Sequence, residues 1–249
     1  MGWASATTPA VLVGGLLVLG AFVRRTLSVP HPALDLTIFA TPSVRWANIA
    51  TAAFTIGFTA MFFALVQFTL AVWQYGIVRA GMAMMPGPVV VMALAPVFGR
   101  VAARHGQRAL LVPGGLVYAA GGLLLLTGLG DRPAYLTELL PASLLSGLGV
   151  ALVLPQLTSA AVQGLPRDDF GAGAAVNQAI RQLGATFGVA LTVAILGTVT
   201  PTITAGAFRG VWVMLVVCGV LTSAAAVAVP RRRPALDTVA APAAVGAQP

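Results

Sequence analysis

The side chains best suited to chemistry are few, and they sit in apolar surroundings. Between Gly171 and Gly188, Asn177, Gln178 and Arg181 lie among Ala, Val, Ile, Leu and Gly. At about 100° per residue, Asn177, Arg181, Gly184 and Gly188 fall within one helical stripe about 60° wide. Amides and a guanidinium so arranged can bind a polar group, hold a gate or fasten one domain to another. The plainer reading of Arg181 is an anchor that orients its helix. Arg is costly in lipid, so this one is expected to face protein or water, or to snorkel to the surface. Gln67 stands alone in another apolar run and can hydrogen-bond either a substrate or a neighbouring helix. Gln67, Asn177, Gln178 and Arg181 are thus the candidates for cavity or gating groups.

The missing residue types limit the chemistry further. The six carboxylates are Asp35, Asp131, Glu138, Asp168, Asp169 and Asp237, and none lies in the middle of an apolar run. An acid embedded in the membrane is the usual proton carrier, and this chain has none. There is no Lys, which excludes a retinal Schiff base. No HExxH and no Gly-x-x-x-x-Gly-Lys loop is present, so protease and ATPase chemistry is not expected. His31, His105 and Cys218 lie far apart in the sequence. No metal site, no cofactor and no catalytic residue is assigned, and Cys218 reads as a small buried hydrophobe.

The elements that carry these residues must be membrane helices. Of 249 residues, 58% are hydrophobic and 8% are charged, against roughly 25% charged in a soluble domain. The mean hydropathy is +0.94. These values exclude disorder, a nucleic-acid-binding domain and a typical cytosolic enzyme. A membrane helix needs about 20 apolar residues. Runs of that kind cover about residues 9–23, 46–70, 81–101, 109–129, 136–159, 171–199 and 211–229. The expected fold is all-α and transmembrane, with seven helices. Residues 1–29 form a first membrane helix, 30–45 a cytoplasmic connection, 46–229 a six-helix bundle, and 230–249 a disordered tail rich in Pro, Ala and Val.

Charge sets the orientation. All 14 basic residues are Arg, and the net charge is +8. Arg24 and Arg25 follow the first apolar run, whereas a signal peptide has its charge before it. That order places the N-terminus outside. Arg24, Arg25, Arg45, Arg100, Arg104, Arg108, Arg167, Arg231, Arg232 and Arg233 then fall inside, against Arg79, Arg132 and Arg209 outside. The bias matches the positive-inside rule, with the C-terminus cytoplasmic in a multi-pass protein of the cell membrane. The charge is spread over connections, so no nucleic-acid partner is expected.

Gly numbers 28 and Pro 17, many of them inside the runs. Pro86, Pro88, Pro96 and Pro155 are expected to kink helices. Gly147, Gly149, Gly184 and Gly188 are expected to let helices approach closely. Trp73, Gln74 and Tyr75 follow the second run and read as an interfacial belt.

The order of these features resembles the major facilitator superfamily. Gly99-Arg-Val-Ala-Ala-Arg104-His-Gly106-Gln-Arg108 is similar to its loop motif, matching at Gly99, Arg104, Gly106 and Arg108, with Ala103 at the acidic position. Arg79 to Pro88 and Arg181 to Gly188 look like the C-terminal half of its fourteen-helix drug:proton antiporters, the multidrug-resistance type. The resemblance implies one extra helix followed by a six-helix bundle of two inverted three-helix repeats. It implies proton-driven antiport, an efflux of drugs or other amphipathic molecules, with Arg104 and Arg108 as loop charges that hold helix ends. The expected partners are the lipid bilayer, a small-molecule substrate, protons, and an N-terminal half in cis or in trans. The alternative is a truncated membrane protein that does not transport, or a half that needs a separate partner. A membrane enzyme or receptor is the third reading.

Overall fold

The computed structural model describes residues 13–15, 17, 18, 20, 21, 24, 25, 39–197 and 203–230. The described pieces between 13 and 25 are helical. The rest of the expected first helix, most of the 30–45 connection and the tail beyond Pro230 lie outside the described residues. No strand occurs among the described residues. The helices are α1 (Pro42–Ala71), α2 (Ile77–Met84), α3 (Pro86–His105), α4 (Arg108–Gly128), α5 (Leu140–Ala161), α6 (Phe170–Leu196) and α7 (Arg209–Val227). α2 and α3 run on as one span, so among the described residues six helical segments are long and apolar enough to cross a membrane.

Local sequence explains the ends. Pro42 opens α1, where its missing N–H costs nothing. Pro86 cannot donate to the turn before it, and Met85 N–H bonds back to Met82 O at 3.2 Å instead. That breaks α2 from α3. Pro86 and Pro88 lie in the first turn of α3, so they begin a helix, while Pro96 and Pro155 lie inside α3 and α5. Pro113 inside α4 is a further interruption. Gly106 ends α3 at φ 83°, a left-handed conformation that favours glycine.

The helices form two rows. The front row runs α3, α5, α1, α6, and α4 and α7 pack behind it against α5 and α1 and against each other. The buried core lies where the rows meet, around Phe54, Leu111, Tyr118, Leu125, Trp212 and Leu215.

Glycine sets the spacing of this core. A methyl group added at Gly149 of α5 would lie 2.7 Å from Tyr118 N of α4. One at Gly115 of α4 would lie 2.7 Å from Gly219 O of α7, and one at Gly147 of α5 would lie 2.7 Å from Gly87 O of α3. The backbones touch, as small-residue membrane interfaces allow. Gly149→Ala is therefore expected to lower stability by about 1–3 kcal/mol through overpacking. Gly99→Ala, whose added methyl meets nothing within 4 Å, should leave it unchanged or raise it slightly. Thermal unfolding in detergent micelles compares the two.

Candidate functional site

Two features of the front row bear on function. The first is a cavity of about 280 Å³ between α1, α3 and α5. Phe58, Met61 and Phe62 of α1, Met92 of α3, and Ser143 and Val150 of α5 contribute to its wall, and no charged side chain does. Phe and Met offer large, polarisable apolar surface, and Met adapts to irregular shapes. The arrangement suits an aromatic or aliphatic group and no ion.

The second feature is a polar clamp between α1 and α6. Asn177 Nδ2 donates to Asn48 Oδ1 and to Thr51 Oγ1, both at 2.9 Å, and all three residues are buried. Thr51 in turn donates to Ala47 O at 2.8 Å. About two turns further along α6, Gly184 sits against α1, where an added methyl would lie 3.2 Å from Ala52 O. Gly188 follows, 2.5 Å from Ile56 O on the same measure. The stripe of Asn177, Gly184 and Gly188 is thus the face of α6 turned to α1.

Arg181 is half-buried beside that stripe and Gln178 is exposed. Gly188 is level with Ile56, near the middle of α1. Arg181 precedes it by seven residues, about 10 Å along the axis. That is inside the hydrocarbon half-thickness of about 15 Å, yet a side chain of this length can still reach the headgroups. Gln67 is half-buried on α1. It is 19 residues from Asn48, about 28 Å along the helix, and it does not line the cavity. The four candidate residues are therefore not gathered into one site. Asn48 and Thr51 complete the clamp and went unremarked in the sequence. Their signal is a pair of polar residues three apart at the start of an apolar run, which places them on one helix face.

The loop between α3 and α4 divides its arginines. Arg104 is exposed, whereas half-buried Arg108 donates Nη1–H to Val229 O just past α7, at 3.5 Å. At the opposite end, carboxylates hold loops. Asp131 accepts from Ala205 N at 2.7 Å, and Glu138 accepts from Gly130 N at 3.1 Å. The expected aromatic belt needs correction. Trp73 and Tyr75 are 3% and 6% exposed and pack with each other, Trp73 also meeting Phe68 edge to face. Trp73 Nε1–H finds Gly130 O at 3.0 Å, so the indole closes the protein's own end instead of facing headgroups.

A polytopic α-helical membrane bundle with an apolar cavity between three of its helices is the class that this geometry defines. The family description Major Facilitator Superfamily matches residues 2–189, and the chain belongs to that family. It is 33% identical over 194 residues to a puromycin resistance protein of Streptomyces alboniger, covering 76% of this chain and 38% of the relative. It is 27% identical over 208 residues to a lincomycin resistance protein of Listeria monocytogenes, covering 78% of this chain and 41% of the relative. It is 28% identical over 229 residues to a cephamycin export protein of Amycolatopsis lactamdurans, covering 89% of this chain and 47% of the relative. The chain therefore spans less than half the length of these curated relatives.

The clamp generates a direct test. Asn177→Leu removes two buried hydrogen bonds and is expected to cost about 1–2 kcal/mol. Adding Asn48→Leu should cost less than the sum of the single changes, because the orphaned amide is removed with its partner. Gln178→Leu, on the exposed face, should be silent in the same thermal unfolding measurement.

Proposed function

We propose that this bundle is one half of a proton-driven exporter of small amphipathic molecules. Its substrate touches the front row, and its proton coupling is supplied by an N-terminal half. The observation that carries the proposal is the uncharged cavity between α1, α3 and α5, in a chain whose relatives are named for antibiotic resistance and export. The front row also has thinly covered wings. Only 6% of the most apolar stretch of Ile77–His105 is buried, and 22% of that in Arg167–Leu196, against 50% in α1 and α4. The first lines the cavity, the second packs on α1 at the other end of the row, and both offer surface on which a second bundle would close.

The pairing of helices supports two inverted three-helix repeats within the bundle. Exchanging α1 for α5, α2–α3 for α6, and α4 for α7 turns α1·α6 into α5·α3 and α4·α5 into α7·α1, while α4·α7 and α1·α5 map onto themselves. Every one of these pairs is in contact. Repeats of this kind place substrate near the bilayer centre, where one repeat or bundle rocks against another. A helix over residues 1–29, as the apolar run there predicts, would make a seventh crossing ahead of the bundle. With the N-terminus outside in the cell membrane, the ends bearing Arg104, Arg108 and Arg167 are cytoplasmic.

Transport in inverted vesicles tests the proposal. The chain alone is expected to show no proton-driven uptake of a lipophilic dye. Fused behind the N-terminal part of the puromycin resistance relative, it is expected to show uptake that a protonophore abolishes. Ser143→Phe, which fills the cavity, should weaken that uptake about tenfold, the equivalent of ~1.4 kcal/mol of binding. Robust uptake by the chain alone would overturn the assignment of coupling to the other half.

A further inference from the structure

A second concavity, of about 470 Å³, lies between α1 and α6. Arg45 and Asn48 stand at one end, and Ile49, Ile56, Leu183 and Phe187 line its length. Its direction follows from the helix geometry. At about 100° per residue, Arg45, Ile49 and Ile56 lie within about 40° of one another on α1. They occupy the arc between Asn48, which meets α6, and Gly57, which meets Cys218 of α7. The front cavity uses Phe58 and Phe62, on the opposite side of α1. The groove therefore opens on the outer perimeter of the bundle, where lipid is the solvent. Ile49, Leu183 and Phe187 are 46%, 60% and 58% exposed there.

Its size and polarity select the occupant. From Arg45 to Ile56 the wall rises about 16 Å, close to half the roughly 30 Å hydrocarbon thickness. A groove of about 470 Å³ over that length has room for one acyl chain laid along the two helices. The polar end carries one cation and no anion. Asn48 is buried and bound to Asn177, and no carboxylate lines the groove. Arg45 is exposed, with Trp46 5.8 Å from its guanidinium carbon, as suits the headgroup level.

We propose that this groove holds one anionic phospholipid, with its phosphate on Arg45 and one acyl chain along Ile49, Ile56, Leu183 and Phe187. The lipid belongs to the leaflet at the Arg-rich end of the bundle. The inference needs only a chain embedded in a bilayer. It stands apart from transport and from which side is cytoplasm.

Native mass spectrometry of the purified chain tests it, with equal amounts of phosphatidylglycerol and phosphatidylcholine bearing the same acyl chains. One retained lipid is expected, phosphatidylglycerol being favoured about fivefold, the effect of one Arg near a headgroup. Arg45→Gln should bring the two lipids to parity, and Arg45→Lys should keep most of the preference. Ile49→Trp, on the exposed wall, should displace both. Equal retention by the unmodified chain overturns the proposal. So does a preference that survives Arg45→Gln, which would assign it to other arginines such as Arg104. In membranes, crosslinking of Ile49→Cys to a second polypeptide would also overturn it, by putting protein where the lipid is proposed.

Discussion

The constraint on which the structure depends is that lipid gives helices no hydrophobic reason to associate. Tight van der Waals contact and a few interhelical hydrogen bonds must hold the bundle. Glycine makes the contact possible. Gly115 and Gly219 bring the backbones of α4 and α7 together, Gly149 brings α5 onto Tyr118, and Gly147 brings it onto Gly87. Where glycines thin out, polar groups take over. The link of α6 to α1 combines Gly184 and Gly188 with the Asn177–Asn48–Thr51 clamp. Ser43, whose hydroxyl donates to Ala160 O at 2.9 Å, does similar work between α1 and α5.

From this packing comes an asymmetry between the two rows. α4 packs chiefly on α5, α7 chiefly on α1, and the two pack on each other. α3 has one main neighbour, α5, and α6 has one, α1. These wing helices keep large exposed side chains such as Met92 and Phe187. The cavity lies inward of α3, and the lipid-facing groove lies behind α6. One side of α1 thus lines the apolar cavity and the other lines the groove beside α6.

Much of this was legible in the sequence. The runs at 46–70, 81–101, 109–129, 136–159, 171–199 and 211–229 correspond to six spans, because a lipid solvent imposes length and apolarity so strongly. Helix ends were less legible. Pro42 extends α1 ahead of Trp46, since a proline in the first turn starts a helix as readily as it breaks one. Partners across helices were not legible at all. Asn177 stands out in a run of Ala and Val, yet nothing near it names Asn48, 129 residues away. Trp73 and Tyr75 have the composition of a lipid interface, but only the placement of Phe68 and Gly130 shows them turned inward. The cavity was equally hidden. Its walls are ordinary Phe, Met and Val, and their convergence is a product of the fold.

The central claim is that the six spans between Pro42 and Val227 carry the arginine-rich ends to one side of the membrane. Cysteine labelling in intact cells tests it most directly. In a Cys218→Ser background, His105→Cys marks the end of α3 and Arg132→Cys marks the loop after α4, both at exposed positions. A membrane-impermeant maleimide is expected to label Arg132→Cys in intact cells and His105→Cys only after permeabilisation. Labelling of both in intact cells, or the reverse pattern, would contradict the arrangement.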